Sequence, residues 1–322
     1  MSERSSERHR DDSASGAGAD EFPDESEARA ALDRSGDIAS AAQLACLLEV
    51  SAPKPGNVSP GRHFHDTRYE DFLASAAAIG PAFARAGDAT LGVTILEAIH
   101  ATARWTRANT NLGIVLLLAP LAHAAHGACR TKISIREELA RILRSATLRD
   151  AADVYEAIRI ASPAGLGKVE DEDVASTPTI ALRDAMALAA ERDGIAREYA
   201  TDFATTFETG APALMRARHD GLSWDDAVVE CYLALLAAAP DTHIARKLGS
   251  AIAVHVSESA RAALEAGGVR TAAGRDSIAL LDRQLRDERN SRNPGTTADL
   301  TAAAIYVVLL EERLQPSHDG NR

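Results

Sequence analysis

From Asp37 onward the apolar residues of this chain return every three or four positions, and that period limits its fold more than any other feature. Ile38, Ala41, Ala42, Ala45 and Leu48 form one stripe, flanked by Leu44 and Leu47. Comparable patterns occupy residues 69–84, 91–107, 111–126, 134–146, 149–161, 178–192, 194–208, 223–238, 243–266, 276–290 and 296–313. Alternating β-branched runs, which a half-buried strand needs, are missing. Ser134 with Glu137 and Ser223 with Asp226 have the spacing of helix-start capping boxes, and Thr147 stands likewise before Leu148. Gly80-Pro81, Gly127, Gly165, Gly210, Pro240, Gly267-Gly268 and Pro294-Gly295 punctuate the pattern. The chain therefore reads as all-α, one compact domain of roughly a dozen helices over residues 37–315.

The flanks differ. Residues 1–36 carry ten acids against five arginines and almost nothing to bury, so they read as a disordered acidic tail. Residues 316–322 read as a second short tail. The whole chain of 322 residues has a formal charge of −12, which argues against nucleic acid and anionic lipid as partners. Its longest apolar run, Leu112 to Ala122, is 11 residues and contains Pro120, too short for a membrane span and suited to a core helix. Cys46, Cys129 and Cys231 share no metal or redox spacing and read as buried free thiols. With no apolar leader at the start, a cytoplasmic protein is expected.

The least helical stretches, residues 51–68, 162–177 and 291–295, are where chemistry is expected. Pro53 and Pro55 stiffen the backbone around Lys54, one of only four lysines in the chain. Gly56 then allows a turn, so the loop is expected to offer the Lys54 ammonium and the Gly56 and Asn57 amides to phosphate oxygens. Equally, the same residues could be a rigid connector. Asp66 is a hard oxygen ligand of the kind Mg²⁺ prefers. His63 and His65 read more readily as hydrogen-bonding groups than as a metal pair. Asn109-Thr110-Asn111 opens an apolar helix whose first amides could face an anion, although plain capping also accounts for it. Thr296 and Asp299 fit a capping box, and the offset of Thr297 and Asp299 would let them share a ligand. Glu97 and His100 have the spacing of half a di-iron site, but the second Glu-x-x-His is absent. His123 and His126 read as structural.

Taken together, Glu49-Val50, Pro53-Lys54-Pro55-Gly56-Asn57-Val58, Phe72 with Ser75, Asn109-Thr110-Asn111-Leu112-Gly113, Asp241-Thr242-His243 and Asn293-Pro294-Gly295-Thr296-Thr297-Ala298-Asp299-Leu300 resemble the triphosphoribosyl-dephospho-CoA synthase family, in the family's order over residues 45–312. That family is all-helical. The resemblance implies a transferase that moves the triphosphoribosyl group of ATP to 3′-dephospho-CoA with release of adenine, accompanied by Mg²⁺. Two departures stand out. The family's Asn-Thr-His-Lys-Gly is here Asn109-Thr110-Asn111-Leu112-Gly113, and its mid-chain glycine-rich loop is Ala164 to Val174, a variant similar to an archaeal branch.

Displacing adenine from C1′ by an alcohol calls for a carboxylate near the sugar, a base for the acceptor hydroxyl and a hydrogen bond to the departing purine. On this reading Lys54 neutralises triphosphate and Glu49 or Asp173 takes the acceptor proton. Asp66 and Asp299 hold the metal. Asn57, Asn109 and Asn293 offer hydrogen bonds to ribose or adenine. Asn111 contacts substrate where the helix-start amides near it help neutralise the triphosphate. Thr297 is a further substrate contact, and Arg246 binds acceptor phosphate. A homodimer is compatible with it. Two other readings are a Mg²⁺-dependent nucleotide or ADP-ribose-type hydrolase and a non-catalytic nucleotide-binding protein.

Overall fold

The structure, a computed structural model, describes residues 25–161 and 172–314. The tail reading for residues 1–24 and 316–322, and the glycine-rich part of the mid-chain loop, lie outside the described residues.

Apolar stripes become helices because each needs a partner to cover it. Among the described residues there are fourteen: α1 (Glu25–Ser51), α2 (Tyr69–Ala84), α3 (Leu91–Ala103), α4 (Leu112–Thr131), α5 (Ile135–Ser145), α6 (Leu148–Ala161), α7 (Leu182–Ala189), α8 (Gly194–Ala200), α9 (Ala211–His219), α10 (Trp224–Ala238), α11 (Thr242–Leu248), α12 (Ser250–Glu265), α13 (Ala272–Leu285) and α14 (Gly295–Leu314). No strand occurs among them; Ser59 and Arg62 form one isolated bridge. The all-α reading therefore holds.

The core sits around α4 and α14. Val115, Leu117, Leu118 and Leu121 of α4 are fully buried, as are Ala302, Ala303, Ala304, Ile305 and Tyr306 of α14. Small alanine side chains let α14 lie close to its neighbours α1, α4 and α10. Buried tyrosine hydroxyls find backbone acceptors: Tyr199 donates to Leu116 O at 2.6 Å and Tyr306 to Ile38 O at 3.1 Å. By length and composition α4 could cross a membrane, yet 83 % of its apolar window is buried inside the protein. It is the core helix that the sequence implied.

The caps formed as expected at Ser134, which exchanges bonds with Glu137, and at Thr147, which does so with Asp150. Ser223 accepts from the Asp226 amide at 3.2 Å, but the Asp226 carboxylate turns to Arg275 instead of closing the box. Several boundaries moved, for instance α8 ends at Ala200 where the pattern ran to 208. Helix α1 starts at Glu25, inside the segment assigned to the tail, because its Glu, Ala and Arg residues are good helix formers continuous with the packed part. The pattern over 243–266 is two helices, divided at Gly249, whose φ of 92° only glycine adopts freely. Helix α9 was missed because Pro212 reads as a breaker, although a first helical turn tolerates it.

The loop after α1 is fastened to α13. Asp282 accepts from the Gly56 amide at 2.8 Å, from Arg62 at 2.5 Å and from Arg286, while Arg286 also donates to Asn57 O at 2.9 Å. Tyr232 donates to Pro55 O at 2.9 Å. Gly56 has φ 72°, and a Cβ there would strike Leu285, so loop and helix approach at backbone distance. Replacing Asp282 by Ala strands a buried amide and two arginines. We expect a loss of about 2–4 kcal/mol, read as a lower denaturant midpoint with an unchanged m-value.

Candidate functional site

Five helix starts open on one cavity of about 870 Å³, a size suited to a nucleotide-scale ligand. Two of these helix starts are tied together by Asp241, which does not itself line the cavity. This buried carboxylate caps α11, accepting from the His243 and Ile244 amides at 2.8 and 3.0 Å, and with its other oxygen caps α14, accepting from the Thr297 amide and hydroxyl at 2.8 and 2.7 Å. Burial nevertheless raises its proton affinity, against the pull of those donors. Beside it, the Thr242 hydroxyl receives the Gly194 amide at 3.0 Å and meets Thr296 at 3.0 Å, which ties α8 to both. Asp193 caps α8 with one oxygen and pairs with Arg246 through the other.

This geometry corrects the expected capping box at α14: Asp241 supplies the cap from another helix, so Asp299 is released to face the cavity. Thr297, expected to touch substrate, is spent on Asp241 and does not line the cavity. Helix α4 meets Asp299 closely. At Gly113 a Cβ would collide with the Asp299 carboxylate and with Ile195, so any larger residue there displaces the Asp299 side chain. Among the described residues the Asp299 carboxylate has no hydrogen-bond donor. Burial drives its proton affinity well up, and the nearby acids Glu49, Asp241 and Asp193 add to this while Arg246 opposes it.

Glu49 lines the same wall, at the end of α1. Lys54 is not where an anion-gripping lysine should be. It is wholly buried, its ammonium 3.0 Å from Glu49 Oε1 and donating to Glu49 O and to Ala52 O. With two prolines fixing the loop, the side chain folds back under α1 and not outward. The expectation of free amides fails likewise, since Gly56 N–H is taken by Asp282 and Asn57 N–H by Lys54 O. Burial raises Glu49's proton affinity, and Lys54 counters it.

The remaining predicted residues do converge. Asn57, Asp66, Asn109, Asn111, Asp173, Arg246 and Asn293 all line the cavity. Asn109 caps α4 by accepting from the Leu112 amide at 3.2 Å, while Asn111 donates to Thr102 at 3.0 Å. Asp66 is exposed beside His65 and acts across space on Lys247, whose ammonium is otherwise made less basic by burial and by Arg246. Three buried polar atoms on this cavity lack any partner: Asn57 Nδ2, Arg246 Nε and Asn293 Oδ1. Unpaired buried groups are costly, and clustered ones mark where a polar ligand completes them.

The sequence undervalued the cationic lining. Arg107, Arg192, Lys247 and Arg289 stand around the cavity, with His243, whose ring burial and the two adjacent cations push down to about 3. Arg192 and Asp193 carried a signal, an acid-glycine helix start, that was left unused. His63 and His65 are loop fasteners: His63 accepts from the Tyr69 amide at 3.1 Å and His65 lies 2.9 Å from Asn290. Glu97 pairs with Arg85 at 2.6 Å, away from any metal partner. His123 shares a bond of 3.0 Å with Thr94, and burial drops it to about 4. The lining also has an apolar part, with Phe64, Phe72, Tyr155, Ile158, Leu182 and Met186.

Comparison with known proteins adds a second line. The family profile for ATP:dephospho-CoA triphosphoribosyl transferase matches residues 35–318. A probable 2-(5″-triphosphoribosyl)-3′-dephosphocoenzyme-A synthase of Stutzerimonas stutzeri is 33 % identical over 123 residues, 38 % of this chain and 40 % of that protein. One from Pseudomonas paraeruginosa is 36 % identical over 115 residues, 35 % of this chain and 39 % of the relative. The matched part thus spans about two fifths of these curated relatives. The crystal structure of a candidate triphosphoribosyl-dephospho-CoA synthase from Archaeoglobus fulgidus is 32 % identical, with TM-score 0.57, covering 74 % of this chain and 98 % of that one.

Two substitutions separate the roles of the acid wall. Asp299 holds its proton more tightly folded than unfolded, so stability falls as pH rises from the unfolded value of about 3.9 through the folded one. Asp299→Asn should therefore stabilise the ligand-free protein by about 1 kcal/mol at about pH 8, and hardly at all near pH 4. Thermal unfolding without divalent cation reads this. Lys54→Met leaves Glu49 buried and unpaired, and should cost about 3–5 kcal/mol in denaturant unfolding.

Proposed function

The chain belongs to the ATP:dephospho-CoA triphosphoribosyl transferase family, and we propose that it moves the triphosphoribosyl group of ATP to the hydroxyl of 3′-dephospho-CoA, releasing adenine. The observation that carries this reading is the meeting of an acid wall, three unpaired polar atoms and a ring of cations on one cavity. An acid wall answers to a reaction in which C1′ gains positive charge. The cations answer to substrates rich in phosphate, in a protein whose formal charge is −12.

In the reaction the C1′–N9 bond breaks with its electron pair leaving on adenine. A new C1′–O bond forms to the acceptor, and the hydroxyl proton passes to a carboxylate and ends on the purine. Glu49 is our choice of base, because Lys54 holds its carboxylate in place at 3.0 Å. Lys54 is thereby a positioning residue. Asp173, which also lines the cavity and whose Oδ1 accepts the Ala175 amide at 2.9 Å, is the second candidate. Arg246 and Lys247, with Arg107, Arg192 and Arg289, would grip phosphate without cleaving it.

Mg²⁺ is part of the proposal as the triphosphate's counterion. Among the described residues no three His, Cys, Asp or Glu side chains gather as a metal cage. The donor chemistry present, the separate carboxylates Asp66 and Asp299, suits a hard cation that keeps waters and phosphate oxygens as its other ligands. Bound there, it would neutralise the triphosphate. A cytoplasmic location fits this chemistry.

The test is adenine release from ATP, followed by chromatography, with the coupled product identified by mass. We expect release only when dephospho-CoA and Mg²⁺ are both present, and its loss on chelation. Adenine formed equally without acceptor would mean hydrolysis, and tight ATP binding without release would mean a binding protein. Arg246→Ala should lower kcat/KM at least about tenfold, mainly by raising KM.

A further inference from the structure

Asn57 carries information that the transfer reaction alone does not demand. The side chain is 5 % exposed, and its Oδ1 is fixed as an acceptor by the Val58 amide at 2.7 Å. That bond settles the amide's orientation, so Nδ2 must be the donor, and it is one of the unpaired buried atoms on the cavity. Its backbone is held as well, with Asn57 O receiving Arg286 at 2.9 Å and Asn57 N–H bonded to Lys54 O. The cavity thus presents one rigid donor that needs an acceptor.

A complementary group lies on the same cavity. Asn293 Oδ1 is a buried acceptor without a donor, on the loop that opens α14. One donor and one acceptor match the edge of adenine that carries N7 and the N6 amine, the pattern by which amide side chains read adenine elsewhere. Phe64 and Phe72 also line the cavity, and aromatic side chains are the usual stacking partners of a planar base. We propose that the protein selects the adenine of its donor nucleotide through this pair, Asn57 Nδ2 donating to N7 and Asn293 Oδ1 accepting from the N6 amine. The inference rests on the reading that ATP is the donor substrate.

The two contacts differ in kind. N7 belongs to the ring that takes up the electron pair when C1′–N9 breaks, so a donor fixed at N7 binds the transition state more strongly than the ground state. The N6 amine gains no charge, so its bond to Asn293 acts equally on both states and appears in KM.

Steady-state kinetics with ATP, 7-deaza-ATP and inosine triphosphate, in the wild type and in Asn57→Asp and Asn293→Ala, test both contacts. Asn57→Asp keeps the oxygen that the Val58 amide needs while removing the donor. Because 7-deazaadenine is intrinsically a poorer leaving group, the deciding quantity is how the ATP to 7-deaza-ATP ratio of kcat changes between proteins. We expect that ratio to shrink about tenfold in Asn57→Asp. Inosine triphosphate should have a KM about tenfold above that of ATP in the wild type, and the gap should close in Asn293→Ala. Unchanged ratios in both folded variants, or a wild type indifferent to all three nucleotides, would overturn the proposal while leaving the transferase intact. If no adenine is released under any condition the functional reading fails. Calorimetric titration of the same nucleotides then decides the base reading on its own, equal affinities overturning it.

Discussion

One carboxylate, Asp241, satisfies the starts of two helices that are far apart in sequence. Each of its oxygens accepts two donors, from α11 on one side and from α14 on the other. A helix start buried without such a partner would leave several amides stranded. Here a single side chain resolves that problem for both helices, and Thr242 and Asp193 extend the solution to α8. The cavity is the space left above this junction. Because α14 takes its cap from Asp241, Asp299 is left to face the cavity.

Much of the fold was legible because helical period is a local property. Leu148 to Ala161 announced itself by its apolar spacing and by Thr147 with Asp150. What escaped was decided by single backbone exceptions: Gly249 turning a long pattern into two helices, and Pro212 standing harmlessly in a first turn. The tail boundary misled for the opposite reason, since charge-rich sequence with good helix formers continues α1 back to Glu25.

The site was legible as membership more than as role. Nine of the eleven residues singled out line the cavity, from Glu49 through to Asp299. The two that do not, Lys54 and Thr297, were misread for one physical reason: each is a polar group near the site whose hydrogen bonds are consumed inside the protein. Sequence shows that a lysine lies between two prolines; it does not show which side of the loop its ammonium takes. Nor does it show that Asp241 would cap α14, because that contact crosses 56 positions. The other arginines of the lining, Arg107, Arg192 and Arg289, were invisible for a simpler reason. In a chain where arginine is the usual cation, no single one stands out until the fold gathers several.

The cavity's acid wall draws Glu49 from the first helix and Asp299 from the last, with Gly113 of the fourth pressed against it. No contiguous stretch of the chain contains this wall. As the chain is made, the earlier helices can pack before this wall exists, because the wall needs α14. A chain still lacking α14 therefore carries only part of the cavity's acid wall.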